Sequence, residues 1–224
     1  MPVTRHQSTS DAGNPPSGPV EVTFIHGIMT SEKILSAANE LFMERGFDAV
    51  SVREIASKAG VNVALINYHF QSKENLFLSV LEDTVSTSRM KLNNLNNADI
   101  PSKEKLLQVI DMYTEKIFTN CRGYHFIQRE LTNTQRPELV DGISKIINKN
   151  SAELRRLLED GQKNKEFRKD ADVDMVNATL FGVMYQATHA VLKKRWIRQG
   201  EDDAAFKERV RKYLVDLLTG YLIK

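Results

Sequence analysis

The sequence predicts an all-α protein with about nine helices, and three observations support that prediction. Apolar residues recur at the spacing of one helix face in nearly every segment from residue 31 to residue 222. No two alternating segments flank a short turn, as the strands of a hairpin would. Residues 51–69 contain two helix starts separated by a glycine, the pattern of two short helices joined by a tight turn.

Length and composition favour an intracellular helical protein. The chain has 224 residues, enough for two modest domains, and 41% of them are hydrophobic. No stretch approaches the roughly 18 apolar residues of a membrane span, and no secretory leader is recognisable, so we expect a cytoplasmic protein. The single cysteine, Cys121, cannot form an internal disulfide. We interpret it as a small hydrophobic side chain, with a redox sensor as the alternative.

Residues 1–29 are expected to form a disordered or irregular leader. Residues 1–19 are rich in Ser, Thr, Pro and Gly without an apolar period. Residues 20–26 alternate like a short strand, but no partner strand follows. A first helix is then predicted from Ser31 to Arg45, where Gly46 ends it.

The helix-turn-helix follows from three local signals. Ser51 and Glu54 have the spacing of a capping box, which starts a helix at Val52. Gly60 supplies the left-handed residue between the two helices. Asn62 is a suitable N-cap for a second helix of about seven residues.

The remaining segments are also predicted to be helical. A long helix should begin after Ser72 and run over 73–94, until several asparagines and Pro101 break it. Further helices are expected over 103–119, 123–134, 138–160, 174–198 and 203–222. We therefore place one domain at 30–77 and a larger one at 78–224.

The pattern G-F-x-x-x-S-V-x-x-I-A-x-x-A-G-V, followed by Y-H-F-x-S-K-x-x-L-F, occupies residues 46–77. The stretch from about Ser31 to Leu81 resembles the DNA-binding domain of the tetracycline-repressor (TetR) family of bacterial regulators. The resemblance implies an N-terminal three-helix DNA-binding domain and a C-terminal helical domain that binds ligand and dimerises.

The second short helix is the predicted reader of DNA. Asn is suited to bidentate contact with adenine, and Val63 or Ala64 can meet a thymine methyl group. The resemblance assigns phosphate contacts to Arg53, Ser51 and Lys73. For His69, packing and groove contact remain equal alternatives. The predicted DNA-binding residues are Ser51, Arg53, Asn62, Val63, Ala64, Asn67, Tyr68, His69 and Lys73.

The charge of this segment motivates an alternative function. Residues 31–88 hold five basic and eight acidic side chains, a net charge of −3, although the whole chain carries +2. DNA binding depends on cations at the groove edge, so this charge implies few phosphate contacts. The alternative is a helical ligand-binding protein of the same fold that does not bind DNA or has no inducer.

The C-terminal domain carries two further predictions implied by the resemblance. Aromatic, Met and His side chains are expected to line an inducer pocket: Tyr113, Phe118, His125, Phe126, Phe181, Met184, Tyr185 and His189. Broad apolar stripes on the last two helices are expected to pack against a second copy of the chain: Val176, Leu180, Val183, Ala187, Val191, Phe206, Val210, Tyr213, Leu214, Leu217 and Tyr221.

The sequence therefore predicts a homodimeric transcriptional regulator, a repressor that a small-molecule inducer releases from a palindromic double-stranded DNA operator. No catalytic motif, metal-ligand spacing or cofactor motif is recognisable, so no enzyme, metal or cofactor is expected. Basic residues at 193–198 and 209–212 are interpreted as solvated helix faces, with a second nucleic-acid surface as the alternative.

Overall fold

The computed structural model describes residues 19–133 and 135–223, with side chains from Met29 onward. Within those ranges the chain forms ten α-helices and no strand, which confirms the predicted all-α fold. In chain order the helices are α1 (Pro19–Arg45), α2 (Val52–Ala59), α3 (Val63–Phe70), α4 (Lys73–Asn97), α5 (Ser102–Thr119), α6 (Cys121–Leu131), α7 (Pro137–Lys163), α8 (Val173–Thr188), α9 (Ala190–Trp196) and α10 (Asp203–Leu222).

The first helix begins earlier than the sequence suggested. The backbone is helical from Pro19, so the predicted irregular leader and the strand-like reading of 20–26 are wrong over residues 19–29. Proline is favoured at the first helical position because its missing N–H has no intrahelical partner there. The remainder of the predicted leader, residues 1–18, lies outside the described residues.

The caps of the helix-turn-helix are confirmed. The Ser51 hydroxyl accepts from the Glu54 amide at 3.2 Å, and the Ser51 amide donates to the Glu54 carboxylate at 2.8 Å. Gly60 has φ 68°, in the left-handed region, and ends α2. The Asn62 side chain accepts from the Leu65 amide at 3.0 Å and starts α3.

Buried side chains form two clusters, and the first of them crosses the predicted boundary at residues 77 and 78. The first cluster combines α1–α3 and the start of α4 with five residues of α6 and α7: Phe126, Ile127, Leu139, Ile143 and Ile146. The second joins the end of α4 to α5, α7, α8 and α10. Since α4 and α7 contribute to both clusters, these two helices run continuously from the first cluster to the second.

The predicted helix over 174–198 is wrong, because it is divided at His189. His189 has φ −68° and ψ 123°, an extended conformation between α8 and α9. The preceding Thr188 hydroxyl donates to the Met184 carbonyl oxygen at 2.7 Å, a local bond that competes with helix geometry and bends helices. Lys193 then pairs with Asp203 at 2.6 Å and holds α9 beside the start of α10. This break accounts for the tenth helix.

Candidate DNA-reading surface and ligand cavity

Helix α3 has a buried side and an exposed side. Ile66 and Phe70 are buried against the first cluster. Ala64, Asn67 and Tyr68 point to solvent, and Tyr68 is 77% exposed. An exposed tyrosine on a helix held by two buried anchors is suited to contact with a groove or its phosphate edge.

Three further side chains of α3 differ in their exposure. Leu65 is exposed and adds apolar surface beside Ala64. Val63 and His69 are half-buried. The exposed side of α3 is therefore more apolar than the predicted set alone implied, which suits contact with thymine methyl groups.

Two predicted DNA contacts are already used as helix caps. The Ser51 hydroxyl both accepts from the Glu54 amide and bonds the Glu54 carboxylate at 2.8 Å. Bonds from the Ser51 amide and then the Ser51 hydroxyl to this carboxylate, with an ion pair to Arg45, lower the pKa of Glu54 from 4.5 to about 2. Asn62 uses its oxygen as a cap and keeps its amide N–H groups for another partner.

The cations of α1–α3 and the start of α4, which together we call the reading head, are placed unevenly. Arg53 is exposed and makes no ion pair with any described residue, so its guanidinium is available to a phosphate. Lys58 pairs with Glu40 at 2.7 Å, and Arg45 pairs with Glu54 at 2.9 Å. Two of the five basic side chains therefore neutralise acids of their own domain.

Lys73, the first residue of α4, packs over an aromatic ring. Its ammonium lies 4.3 Å from the centroid of the Phe47 ring. Burial lowers the pKa of Lys73, and Asp48 acts in the opposite direction. This side chain braces the α1–α2 connection and would have to swing away from the ring to extend to DNA.

The predicted dimerisation residues differ in their burial. Six of them are buried inside their own subunit, where they belong to the second cluster: Val176, Leu180, Ala187, Phe206, Val210 and Leu214. Val183 and Tyr221 are half-buried. Val191, Tyr213 and Leu217 are exposed, and Met175 and Trp196 are exposed large apolar residues that the prediction omitted.

A partly open cavity of about 270 Å³, which we call the inner cavity, lies between α4, α5, α6, α7 and α8. It reaches α1 through Met43. Its other lining residues are Leu81, Thr84, Val85, Ser88, Tyr113, Lys116, Ile117, Asn120, Gly123, Tyr124, Ile127, Gln128, Ile147, Asn150, Ser151, Asn177 and Phe181. A mostly apolar enclosure with a few polar groups is the usual form of a small-molecule site.

The polar groups of the inner cavity are unequally satisfied. The Lys116 ammonium donates to the Thr84 carbonyl oxygen at 2.8 Å and to the Ser88 hydroxyl at 2.6 Å. Burial lowers the pKa of Lys116. The side-chain oxygens of Asn150 and Asn177 are buried without a hydrogen-bond partner. These groups offer directional contacts to a ligand.

A larger opening of about 1060 Å³, the outer cleft, lies on the other side of α6. Met43, Tyr124, Gln128 and Phe181 line both spaces and separate them. The outer cleft also contains exposed charged side chains, among them Glu44 and Arg122. Its polar and open walls distinguish it from the inner cavity, so we regard the inner cavity as the better ligand site despite its smaller volume.

Three predicted polar residues meet in the outer cleft. The rings of His125 and His189 have centroids 5.2 Å apart, and that of Tyr185 lies 5.0 Å from His125. The His125 Nε2 is 3.0 Å from the Thr188 hydroxyl oxygen. Burial lowers the pKa of His125, and His189 acts in the same direction.

The eight predicted ligand residues are thus distributed over several places. Tyr113 and Phe181 line the inner cavity, while His125, Phe126, Tyr185 and His189 line the outer cleft, which Phe181 also reaches. Met184 is fully buried in the second cluster, and Phe118 packs against Phe206 beneath α9. They line neither space.

The prediction missed Lys116, Asn150 and Asn177. One signal was present, since Lys116 stands between Tyr113 and Ile117 on the apolar face of its helix. A charge at such a position signals a partner or a cavity. The two asparagines gave no signal, because helix period alone does not distinguish a cavity wall from a solvated face.

Within 19–133 and 135–223 no helix is both long enough and apolar enough to cross a bilayer. In the same part of the chain, no group of three His, Cys, Asp or Glu side chains is arranged to hold a metal ion.

Comparison with known proteins identifies the family. Residues 34–80 match the family model described as bacterial regulatory proteins, tetR family. Over 146 residues the chain is 30% identical to the "probable HTH-type transcriptional regulator YttP" of Bacillus subtilis, covering 62% of this chain and 68% of YttP. The chain belongs to the TetR family. The sequence-based resemblance is thereby confirmed.

Two other members support the placement of this TetR-family chain. It is 27% identical over 172 residues to the HTH-type transcriptional repressor KstR2 of Rhodococcus jostii, covering 75% of this chain and 79% of KstR2. The crystal structure of FadR from Bacillus subtilis, solved with stearoyl-CoA, superposes with a TM-score of 0.67 and 24% identity, covering 82% of this chain and 97% of that one. The chain is accordingly a helix-turn-helix transcriptional regulator.

Proposed function

We propose that this TetR-family protein is a homodimeric repressor that a small molecule in the inner cavity releases from a palindromic DNA operator. The observation that carries the proposal is the course of α4. This helix starts at Lys73, three residues after α3 ends, and then supplies Leu81, Thr84, Val85 and Ser88 to the cavity wall. One rigid helix therefore connects the ligand site to the reading helix.

The exposed side of α3, together with Arg53, supports the DNA contact. Asn67 and Tyr68 are free to reach base edges or phosphates. Arg53 at the start of α2 supplies a cation that no described acid neutralises. This function is regulatory rather than catalytic, and it places the protein in the cytoplasm, where bacterial DNA lies.

A dimer is supported by the apolar residues that α8 and α10 leave exposed. The Asp172 amide donates to the Tyr221 hydroxyl at 3.0 Å, which brings the start of α8 beside the end of α10. Met175 on α8 and Leu217 and Tyr213 on α10 are exposed along these adjoining ends. A symmetric pair covering this surface would present two α3 helices to the half-sites of a palindrome.

The coupling between ligand binding and operator binding follows from a difference in ligand affinity between two states of the protein. A ligand shifts the operator affinity by as much as its own affinity differs between the DNA-binding and released states. Met43 of α1 and four residues of α4 line the inner cavity, so a ligand there touches the reading head directly.

The experiment is selection of genomic fragments by the purified full chain, followed by titration of the best fragment at several salt concentrations. Recovery of a palindrome whose affinity falls as salt rises is the expected result. Retention of no fragment, even at low salt, would contradict the proposal and favour the ligand-binding protein without DNA affinity.

The dimer is tested by sedimentation of Leu217→Lys, with Met90→Lys as the matched control. Both residues are exposed apolar side chains, but Met90 lies on α4, away from α8 and α10. The expected result is a monomer for Leu217→Lys and a dimer for the control. A dimer that survives Leu217→Lys unchanged would place the interface elsewhere.

A further inference from the structure

We infer that the ligand of the inner cavity is a compact organic anion, whose carboxylate pairs with Lys116 and whose apolar body fills the rest of the space. This inference rests on the proposed function, because it concerns the same cavity. It adds the chemical class of the ligand and the residue that selects it.

The charge distribution of the cavity carries the argument. All of the lining residues belong to the described part of the chain, and Lys116 alone among them is charged. None of the ion pairs among the described residues includes Lys116, whose ammonium bonds only a carbonyl and a hydroxyl oxygen. Enclosing an unpaired charge is costly, and a bound carboxylate would relieve that cost.

The geometry leaves room for that contact. An ammonium group has three N–H donors, and Lys116 uses two of them, on the Thr84 carbonyl oxygen at 2.8 Å and the Ser88 hydroxyl at 2.6 Å. The third is free for an acceptor in the cavity. Charge-assisted bonds of this kind are stronger than those between neutral groups.

The volume restricts the size of the ligand. The inner cavity measures about 270 Å³, just below the range of about 300–1,000 Å³ that is typical of pockets for drug-sized ligands. A small carboxylic acid suits this space, whereas a coenzyme A thioester is too large to be enclosed there. The unpartnered oxygens of Asn150 and Asn177 would accept from a hydroxyl or amide on the ligand body.

The present acceptors of Lys116 explain how such an anion would act. Thr84 and Ser88 belong to α4, whereas Lys116 belongs to α5, so these two bonds tie the helices together. A carboxylate bound to the third N–H attracts the ammonium toward the cavity and thereby weakens that tie. The helix released in this way is α4, which follows the predicted DNA-reading helix α3 in the chain.

The test is calorimetric titration of the full chain with octanoate and cinnamate, and with the uncharged octanamide and cinnamamide. We expect the acids to bind the natural protein more tightly than the amides. Lys116→Met keeps the length and the apolar stem of the side chain. It should weaken the affinity for the acids by roughly tenfold or more and leave the affinity for the amides unchanged. Lys116→Arg should retain the preference for acids.

Lys103→Met is the matched control, since Lys103 is an exposed lysine of α5, the helix of Lys116, and does not line the cavity. This variant should change the affinity for neither the acids nor the amides. Undiminished binding of the amides to Lys116→Met would also show that the variant is folded.

Equal affinity of acids and amides for the natural protein, or acids unaffected by Lys116→Met, would overturn the inference. Binding of both acids weaker than about 1 mM would do the same. Operator release, measured in parallel, separates this failure from that of the proposed function. Release by an amide would refute the anionic class and leave the regulator intact, whereas absence of operator binding would refute the regulator itself.

Discussion

Arg136, the residue before α7, forms an ion pair with Asp48 in the connection between α1 and α2. The same guanidinium donates to Glu130 of α6 at 2.7 Å, and it lies over the Phe47 ring at 4.9 Å. One side chain therefore ties the end of α6 and the start of α7 to the loop that enters the helix-turn-helix. This contact is a second connection between the reading head and the C-terminal bundle, besides α4.

The two acids that Arg136 contacts should respond differently to its loss. The Glu130 side chain is 3% exposed, whereas that of Asp48 is 78% exposed. Arg136→Met leaves Glu130 buried with Arg129 as its remaining cation, so the free energy of unfolding should fall by up to about 3–5 kcal/mol in a urea titration. Asp48→Asn removes a solvent-exposed pair and should cost about 0–1 kcal/mol. Equal losses would show that the buried carboxylate is not the dominant contribution.

The two sides of α3 should separate DNA binding from stability. Tyr68→Ala and Asn67→Ala remove exposed side chains, so operator affinity measured by fluorescence anisotropy should fall by about 1–3 kcal/mol. Their unfolding free energy should stay unchanged. Ile66→Ala, one residue away and 1% exposed, should instead cost about 2–5 kcal/mol of stability. Operator affinity that is insensitive to Tyr68 and Asn67 would exclude this face as the reader.

Arg53 and Lys58 offer a matched pair for the phosphate contact. Arg53 has no ion-pair partner among the described residues, whereas Lys58 is bound to Glu40. Arg53→Ala should weaken binding uniformly across operator sequences and reduce the salt slope by about one. Lys58→Ala should change the slope less. A sequence-dependent loss for Arg53→Ala would indicate a base contact instead.

The capping box of α2 predicts a specific titration. The pKa of Glu54 is lowered from 4.5 to about 2 by bonds from the Ser51 amide and hydroxyl and by Arg45. Because the folded-state pKa is depressed, this contribution to stability is present above about pH 4.5 and is lost as the pH falls toward about 2. Ser51→Ala should raise the pKa of Glu54 in a carboxyl NMR titration. Ser57→Ala, on the same helix but without a cap bond, should leave the pKa of Glu54 unchanged.

Sequence-based prediction succeeded where short-range chemistry decides the conformation. Helix caps act over three or four residues, so the local sequence is enough to predict them. The examples here are the capping box of Ser51 and Glu54, the left-handed Gly60 and the Asn62 cap. The same holds for the all-α class, which follows from apolar periodicity. The family motif covers this same region, and the family model matches it.

The predicted sites were less complete because they depend on which faces meet. Val176 and Phe206 belong to stripes that looked wide enough for a partner, yet their own subunit buries them. The periodicity of apolar residues shows that a helix face packs against something. It cannot distinguish a neighbouring helix of the same chain from a helix of a second copy. Helix α8 likewise ends at Thr188 because of a side-chain bond and the docking of α9 on α10.

The sequence by itself determined the helical class, the helix-turn-helix and its family, since each is specified by contacts between residues close along the chain. The tertiary structure alone decided that five helices leave a cavity between them and that Lys116 is its one charge. It also decided that Arg136 joins the bundle to the reading head. Those features arise from packing between residues far apart in sequence, where small differences in helix placement determine whether a side chain meets solvent, a neighbour or an enclosed space.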